Sequence, residues 1–448
     1  MHTRPSSHRP VPFRALALFA VVGLLPACNG DAGTSSSPTN ASSSKGVSSV
    51  PGSGARPSDA VAKGPDTPAP EDDDSVPEAK FEGGEKNFRK LKEALLERYY
   101  RDGITEDDLW RAAVRGMLTY ADPPMKKWNA LLSPEEVREL RVDLKGEVVG
   151  IGVHIRFDDA SGHSEVLGVI PGSPAEKAGI AQGDRIVSVG GKIGRGRTLR
   201  DVVGDIRGKA GEKVSLVVLR DDKLLPFSVE RGTVPFEAVD HSLLEGKIGY
   251  LRIKAFSAKT PPAVRRALET FAKDGATSFV VDLRSNHGGG FDDAVSTAEL
   301  MVPEGATIVR VVGRDGKDER IVSKGKPVLP LGKTVVLVDS ETSSGGEFVA
   351  AALAEDVKAT LVGARTLGKW SVQTIDDLPN GYAAKFTTHL FQSPGGRAFQ
   401  GVGMAPDIET AMDPKSLERL EGMRDAKERL AADVQLRTAV RLLAESKP

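Results

Sequence analysis

Residues 334–373 read TVVLVDSETSSGGEFVAAALAEDVKATLVGARTLGKWSVQ. Val335, Val336, Leu337 and Val338 form a continuous apolar run of strand length, which predicts a buried strand. The run breaks at Asp339 and Ser340, and Ser343-Ser344-Gly345-Gly346 follow. Residues 347–353 read as a helix, with Phe348, Ala351 and Ala352 at helical spacing and alanine throughout. A second strand over 360–362 leads to Gly368-Lys369 and then Val372-Gln373. A serine is thereby placed at a strand-to-helix turn, where backbone N–H groups point outward and the helix end favours negative charge. The glycines beside it permit close backbone approach.

A serine hydroxyl is a weak nucleophile without an adjacent base, and a Ser-Lys pair is a variant of triad logic. The lysine must be neutral to act, so burial must lower its pKa from about 10.4 towards about 7–8, which asks the fold for roughly 3–5 kcal/mol. The pattern alone leaves a second reading open, in which Ser344 caps a helix and Lys369 is a surface charge.

The stretch resembles the core of the carboxyl-terminal processing proteases, serine peptidases with a Ser-Lys dyad and an embedded PDZ domain. In that family a T-A-S-A-S-E-like segment carries the nucleophile, and an F-G-K-G-x-V-Q-like segment carries the base 25 residues later and a supporting glutamine four further on. Here Ser344 and Lys369 are 25 apart and Lys369 and Gln373 are 4 apart, with Glu347 matching the glutamate. The resemblance runs from about residue 85 to the C-terminus. Gly345-Gly346 depart from Ala-Ser after the nucleophile, and Leu367 and Trp370 depart from Phe and Gly around the lysine, which puts substrate range and rate in question. A tryptophan directly after the base is placed to narrow the site or to desolvate the lysine.

The 448 residues predict two or three domains. With 61 basic and 62 acidic residues, nothing points to nucleic acid. A single Cys excludes a disulfide framework within the chain and a Cys-rich zinc site. The seven His show no HExxH spacing, and neither a GxSxG elbow nor a GxxxxGK[ST] loop occurs. No metal or cofactor is expected.

Arg4, Arg9 and Arg14 precede an apolar run over 15–25, too short to span a bilayer as a mature helix. Leu25-Pro26-Ala27-Cys28 then resembles a bacterial lipobox, which implies a signal peptide over 1–27 and lipidation of Cys28. The other reading is an ordinary secretory signal with an incidental cysteine. Asn29 after the cysteine implies the outer membrane, with the enzyme in the cell envelope facing the periplasm. Residues 28–80, rich in Ser, Gly, Pro, Ala and Thr and ending in an acidic run, read as a disordered tether.

Residues 81–147 read as helices, with Ser133-Pro134-Glu135-Glu136 as a helix start. Residues 116–123 resemble the family's G-M-L-x-x-L-D-P segment. Residues 148–233 resemble a PDZ domain: Val149-Gly150-Ile151-Gly152-Val153 stand where its carboxylate-binding loop and following strand would be. Pro171-Gly172-Ser173-Pro174-Ala175, Ala178-Gly179-Ile180 and Gly183-Asp184-Arg185-Ile186 match the family's P-G-S-P-A…A-G-I-x-x-G-D-x-I run. Leu199, Val202, Val203 and Ile206 would form one face of a groove helix. Such domains bind an extended C-terminus by strand addition. The bland reading is that these glycines only make turns in a small β-domain.

A peptidase core is expected over 234–411, with a strand at 248–253, a helix at 261–273 and a buried strand at 279–284. The last ends in Ser285-Asn286-His287-Gly288-Gly289-Gly290, similar to the family's D-L-R-x-N-x-G-G segment. The resemblance assigns the oxyanion hole to backbone amides of Gly288 or Gly289 and of Gly345. Residues 382–387 read as a strand, and residues 401–407 resemble the family's G-x-G-I-x-P-D closing segment. The segment 412–448 reads as helical, its charges marking a solvated face. The expected fold is α/β (α+β) and multidomain: a peptidase core of mixed β-sheet with flanking helices, an inserted PDZ domain (a small β-barrel with helices), and helical N- and C-terminal segments.

The resemblance implies a lipid-anchored serine endopeptidase that cleaves proteins near or from their C-termini, with Ser344 as nucleophile, Lys369 as base and Gln373 positioning it. The PDZ domain would recognise a free substrate C-terminus and control activity. The expected partners are such proteins or peptides and the membrane, with room for an activating partner or a homo-oligomer. Two rivals stand beside this: a catalytically weak or inactive PDZ scaffold that binds C-termini, and a Ser-His hydrolase using His287, with His389 and His241 as weaker candidates.

Overall fold

The computed structural model describes residues 82–445, apart from 122–127, 159–160, 195–196, 198 and parts of 414–425. The expected signal peptide, Cys28 and the tether lie outside the described residues.

Alternating apolar side chains build the core sheet. Its six strands run in the order Val239–Leu244, Ile248–Ile253, Ser278–Asp282, Lys333–Val338, Thr360–Gly363, Ile408–Glu409. The first pair is antiparallel and the rest are parallel. Successive side chains of a strand point to opposite faces, so a continuous apolar run requires cover on both. Val281, Val336 and Val338 pack on one face with Phe348, Val349 and Leu268, from helices Gly345–Asp356 and Thr260–Asp274. Val280, Val335 and Leu337 pack on the other with Leu436, Ala439 and Leu443 from helix Val434–Glu445.

A second, antiparallel sheet joins Ala130–Leu132, Ala383–Gln392, Thr307–Gly313 and Asp318–Val322, with Ser371–Asp377 also paired to Ala383–Gln392. The strand expected at 382–387 therefore continues to residue 392. The N-terminal helices Gly84–Arg98 and Glu106–Ala121 bury no residue, and Phe88 and Trp110 meet between them at 5.0 Å. Helix Pro134–Leu144 starts at the expected cap: Ser133 N donates to Glu136 Oε2 at 2.7 Å.

The inserted domain hangs on a neck of two antiparallel strands, Glu147–Gly150 and Gly232–Pro235, in the register Glu147↔Pro235 to Gly150↔Gly232. Beyond the neck, strands Val153–Asp158, His163–Val169, Arg185–Val189, Lys213–Arg220 and Lys223–Glu230 form its sheet. Helix Leu199–Ile206 buries Val202 and Ile206 against Ile186, Val214, Leu216 and Val218.

The C-terminal segment departs from the expected solvated helix. It contains helices Ala426–Ala432 and Val434–Glu445, and the charges at their junction are buried. Arg284 Nη2 donates to Asp282 Oδ2 and Asp433 Oδ2, each at 2.6 Å, and its Nη1 donates to Gln435 Oε1 at 2.9 Å. Arg429 Nη1 donates to the Tyr250 hydroxyl, which donates to Asp282 Oδ2. Asp433 also caps the last helix by accepting from Leu436 N at 2.9 Å. Helical spacing alone does not separate a solvated charge from one whose partner comes from a distant strand.

Candidate active site

In an open parallel sheet, ligands bind beyond the carboxyl ends of the strands. Here three adjacent strands, ending at Asp282, Val338 and Gly363, deliver the segments 283–290, 339–344 and 364–370. The first two are stitched together. The Asp339 carboxylate accepts from Ser285 N at 3.0 Å and from Thr342 N at 2.8 Å. Thr342 Oγ1 donates to Leu283 O at 2.8 Å, and Ser343 N donates to Asn286 O at 2.9 Å.

Ser344 ends this turn with φ 58° and ψ −117°, a sparsely populated conformation costing about 1–3 kcal/mol that persists only where the surroundings impose it. Helix Gly345–Asp356 begins at the next residue, two earlier than the expected start. Ser344 is 1% exposed, and its Oγ has no hydrogen-bond partner among the described residues. Ser344 stands at the N-cap of this helix, where Glu347 reaches back to its amide, so the capping reading holds for its backbone position. The surroundings also account for the two glycines after it. A Cβ on Gly345 would lie 3.0 Å from the Phe256 ring and 3.2 Å from Ala294 Cβ, and one on Gly346 would lie 2.9 Å from Asn286 O.

Gly288 lies directly against Ser344. It has φ +93°, and a Cβ there would sit 2.9 Å from Ser344 Cβ and 3.2 Å from its Oγ. The Gly288 amide donates to Asn286 Oδ1 at 2.8 Å, and Asn286 is held in turn by Ile253 O. Gly289 bridges to Phe256. Gly345 N is the first of the helix's N-terminal donors, a group well suited to an anion.

The third segment is joined to Ser344 by Glu347, which is fully buried. Its Oε2 accepts from Ser344 N and Lys369 N, both at 2.9 Å. Its Oε1 accepts from Gly368 N at 2.8 Å and Thr366 Oγ1 at 2.6 Å. Burial pushes the Glu347 carboxyl above its ordinary value, against the pull of the Thr366 hydroxyl and the Gly368 and Ser344 amides. A carboxylate receiving four donors is best described as ionised.

Lys369 is 2% exposed, so it is not a surface charge, and its Nζ lies 4.6 Å from the centroid of the Trp128 ring. Gln373 Nε2 donates to Ser371 Oγ at 2.9 Å and to Thr387 Oγ1 at 3.3 Å. Gln373 Oε1 is buried and without a hydrogen-bond partner among the described residues. Trp370, expected either to narrow the site or to desolvate Lys369, is a core side chain, 1% exposed and packed on Phe399 at 4.9 Å. The ring over Lys369 Nζ is that of Trp128, a neighbour that no local pattern signalled.

The histidines are placed elsewhere. His287 Nδ1 lies 3.8 Å from Glu341 Oε2. His389 Nδ1 pairs with Thr388 Oγ1 at 2.9 Å, and His241 rests on the Phe271 ring. None reaches the Ser344 hydroxyl.

In the inserted domain, a cavity of about 460 Å³ is lined by Val149, Gly150, Gly152, Val153, Val203 and Ile206. Ile151 also borders it, but its side chain is 1% exposed and belongs to the domain core, and its carbonyl accepts from Ala175 N at 2.8 Å. Glu237, Asp240 and Lys254 border the same cavity from beyond the neck.

A model of peptidase family S41 matches residues 247–410, and a PDZ-domain model matches residues 165–220. The chain is 32% identical over 355 residues to a carboxyl-terminal-processing protease of a Picosynechococcus species, covering 78% of this chain and 83% of that protein. It is 34% identical over 324 residues to a carboxy-terminal-processing protease of Bartonella bacilliformis, covering 70% and 73%. It is 31% identical over 333 residues to the carboxy-terminal processing protease CtpA of Bacillus subtilis, covering 73% and 70%. A solved structure from Bacteroides fragilis, described as an S41 protease, shares the fold with a TM-score of 0.52 at 17% identity, covering 80% of this chain and 98% of that one.

Proposed function

Because this chain belongs to the carboxyl-terminal-processing proteases of peptidase family S41, we propose that it is a serine endopeptidase with Ser344 as nucleophile and Lys369 as base. The observation that carries the reading is the shared Glu347 oxygen, which ties the backbone of Ser344 to that of Lys369. Ser344 Oγ attacks the scissile carbonyl carbon, and the neutral Lys369 amine takes its proton. The amide of Gly345, with that of Gly288 or Gly289, holds the oxyanion. Gly288 serves once Asn286 releases its amide. Lys369 then gives the proton to the leaving amine. A water molecule then attacks the acyl carbon and loses a proton to Lys369, and as the ester C–O bond breaks Lys369 returns that proton to Ser344 Oγ and the new carboxylate leaves. Burial of Lys369 favours the neutral form. In the productive arrangement, Gln373 Oε1, buried without a hydrogen-bond partner among the described residues here, accepts from the lysine and sets its direction.

The groove bordered by Val149 to Val153 and by Val203 and Ile206 takes the free C-terminus of the substrate protein as an added strand. Binding there, remote from the scissile bond, stabilises the productive arrangement of the core. The lipobox at Cys28 and the polar tether support a lipid-anchored enzyme of the cell envelope, on the periplasmic face of the outer membrane. Mature protein is then expected to begin at Cys28 and to partition with membranes, and Cys28→Ser to release it or leave it uncleaved.

Turnover of an unfolded protein by Ser344→Ala, Lys369→Ala and His287→Ala variants tests the reading. Loss in the first two with activity kept in the third is expected. Loss in Ser344→Ala and His287→Ala alone would point to a Ser-His pair, and a wild-type chain without turnover would point to a binding scaffold.

A further inference from the structure

Trp128 stands immediately before the strand Ala130–Leu132, which pairs antiparallel with Ala383–Gln392 in the register Ala130↔Lys385, Leu131↔Ala384, Leu132↔Ala383. Asn129 fastens this point twice. Its Nδ2 donates to Leu118 O at 3.0 Å, and its Oδ1 accepts from Thr387 N at 3.0 Å. The indole ring is thereby held 4.6 Å from Lys369 Nζ. An aromatic face attracts a cation through its quadrupole and has no such attraction for a neutral amine. Trp128 therefore favours the ammonium form of Lys369, which cannot accept a proton. The two atoms that a productive lysine would engage, Ser344 Oγ and Gln373 Oε1, are meanwhile buried without hydrogen-bond partners among the described residues.

We propose that Trp128 is a positioning residue that holds Lys369 charged and turned from Ser344, and that moving the segment 128–132 off the lysine is a step in activation. The inference rests on the Ser-Lys reading above. The fold supplies a link for that step. Thr387, which binds Asn129 through its amide, also contacts Gln373 Nε2 through its hydroxyl at 3.3 Å. Seating of the Trp128 turn and orientation of Gln373 are thus connected through one residue.

Titratable groups on the surrounding elements are Glu347 on the nucleophile helix, Asp339 and Glu341 on the turn before it, and His287 on the 283–290 segment. Arg365 on the lysine's own segment donates to Gly403 O, and Lys385 and His389 lie on the strand that pairs with Ala130–Leu132. A Trp128 substitution changes none of these, so a moved midpoint reports on Lys369. Repeating the measurement with His287→Ala removes the imidazole nearest the nucleophile turn.

The test is the pH dependence of Ser344 labelling by a small fluorophosphonate, followed by intact mass, in wild type, Trp128→Leu, Trp128→Phe and Asn129→Ala. Trp128→Leu is expected to move the midpoint of the rising limb down by about one pH unit, a tenfold gain in neutral lysine below the midpoint. Trp128→Phe is expected to fall between it and wild type. If Trp128→Leu fails to fold, Trp128→Phe and Asn129→Ala decide, each with a smaller downward shift expected. Unmoved midpoints in the folded variants would overturn the proposal. Lys369→Ala run alongside separates the two claims. Wild-type labelling there would sink the Ser-Lys reading itself, whereas lost labelling with an unmoved Trp128→Leu midpoint would sink only the role of Trp128.

Discussion

The backbone amides of Ser344 and Lys369 donate to the same oxygen, Glu347 Oε2, each at 2.9 Å. Ser344 and Lys369 come from turns after different strands, and this oxygen fixes the distance between their backbones. A misplacement of about 1 Å can cost on the order of a hundredfold in rate. Glu347→Gln puts an NH2 group where one of the two oxygens now accepts. It is expected to lower kcat at least a hundredfold while KM changes little. Glu347→Ala should in addition cost on the order of 3 kcal/mol, because four donors lose their acceptor. Steady-state kinetics and urea unfolding check both, and unchanged kcat in Glu347→Gln would contradict the assigned role.

The network around Arg284 makes a stability prediction. Asp433→Asn or Asp282→Asn leaves a buried guanidinium partly uncompensated, at a cost of about 3–5 kcal/mol. Burial alone would raise the Asp282 carboxyl, but the Arg284 charge and hydrogen bonds overcome it and hold it well below the usual carboxylate range. A depressed folded-state pKa contributes stability that is present above the unfolded value and is lost as pH falls through the folded one. The junction of the last two helices should therefore stay docked through pH 4 and fail only in stronger acid. Hydrogen exchange of the helix Val434–Glu445 across that range is the check. Loss of protection already at pH 5 would count against the network.

Asp143 makes the stability of the helix Pro134–Leu144 depend on pH. Burial, with Glu139 adding, pushes its pKa to about 6 from 3.8, against the opposing charge of Arg207 at the end of the groove helix. Lys209 of the inserted domain meets Glu135 of the same helix at 2.5 Å. Between the two pKa values the folded chain holds a proton that the unfolded chain has released. Stability therefore falls as pH rises through that window and is flat above it. Asp143→Asn should match wild type in Tm near pH 4 and exceed it near pH 7.5. Parallel Tm curves for the two would refute the assignment.

Much of the candidate site's layout was legible because its residues lie close together in the sequence. The apolar run at 335–338, the serine-glycine turn and the spacings to Lys369 and Gln373 each lie within one short stretch, and the alternation of Val335 to Val338 between two packed faces follows from that run. What escaped depends on partners far apart in the chain. Asp433 read as a solvated charge because Arg284 lies 149 residues away. Trp128 gave no signal because a tryptophan near a helix end reads as packing until its strand register is known. Ile151 lay within a loop assigned to peptide binding, yet the close packing of Ala175 turns it into the domain core.

That placement of Ile151 redirects the test of C-terminus recognition. A charged substitution there would unfold the domain, whereas Val203 borders the cavity from the groove helix. Val203→Asp is expected to slow cleavage of free-acid peptides about tenfold, worth about 1.4 kcal/mol. Amidated peptides should be slow with both proteins. Equal kcat/KM for matched free-acid and amidated peptides in the wild type would mean that the groove does not read C-termini.

The central claim is that Ser344 is a nucleophile activated by Lys369, and the most direct measurement is covalent capture of that serine. Wild-type protein treated with a fluorophosphonate at pH 8 should gain one adduct, mapped to Ser344. Lys369→Ala, with an unchanged Tm, should lose at least a hundredfold in labelling rate. An adduct on another residue, or a Lys369→Ala variant that labels at the wild-type rate, would contradict the account.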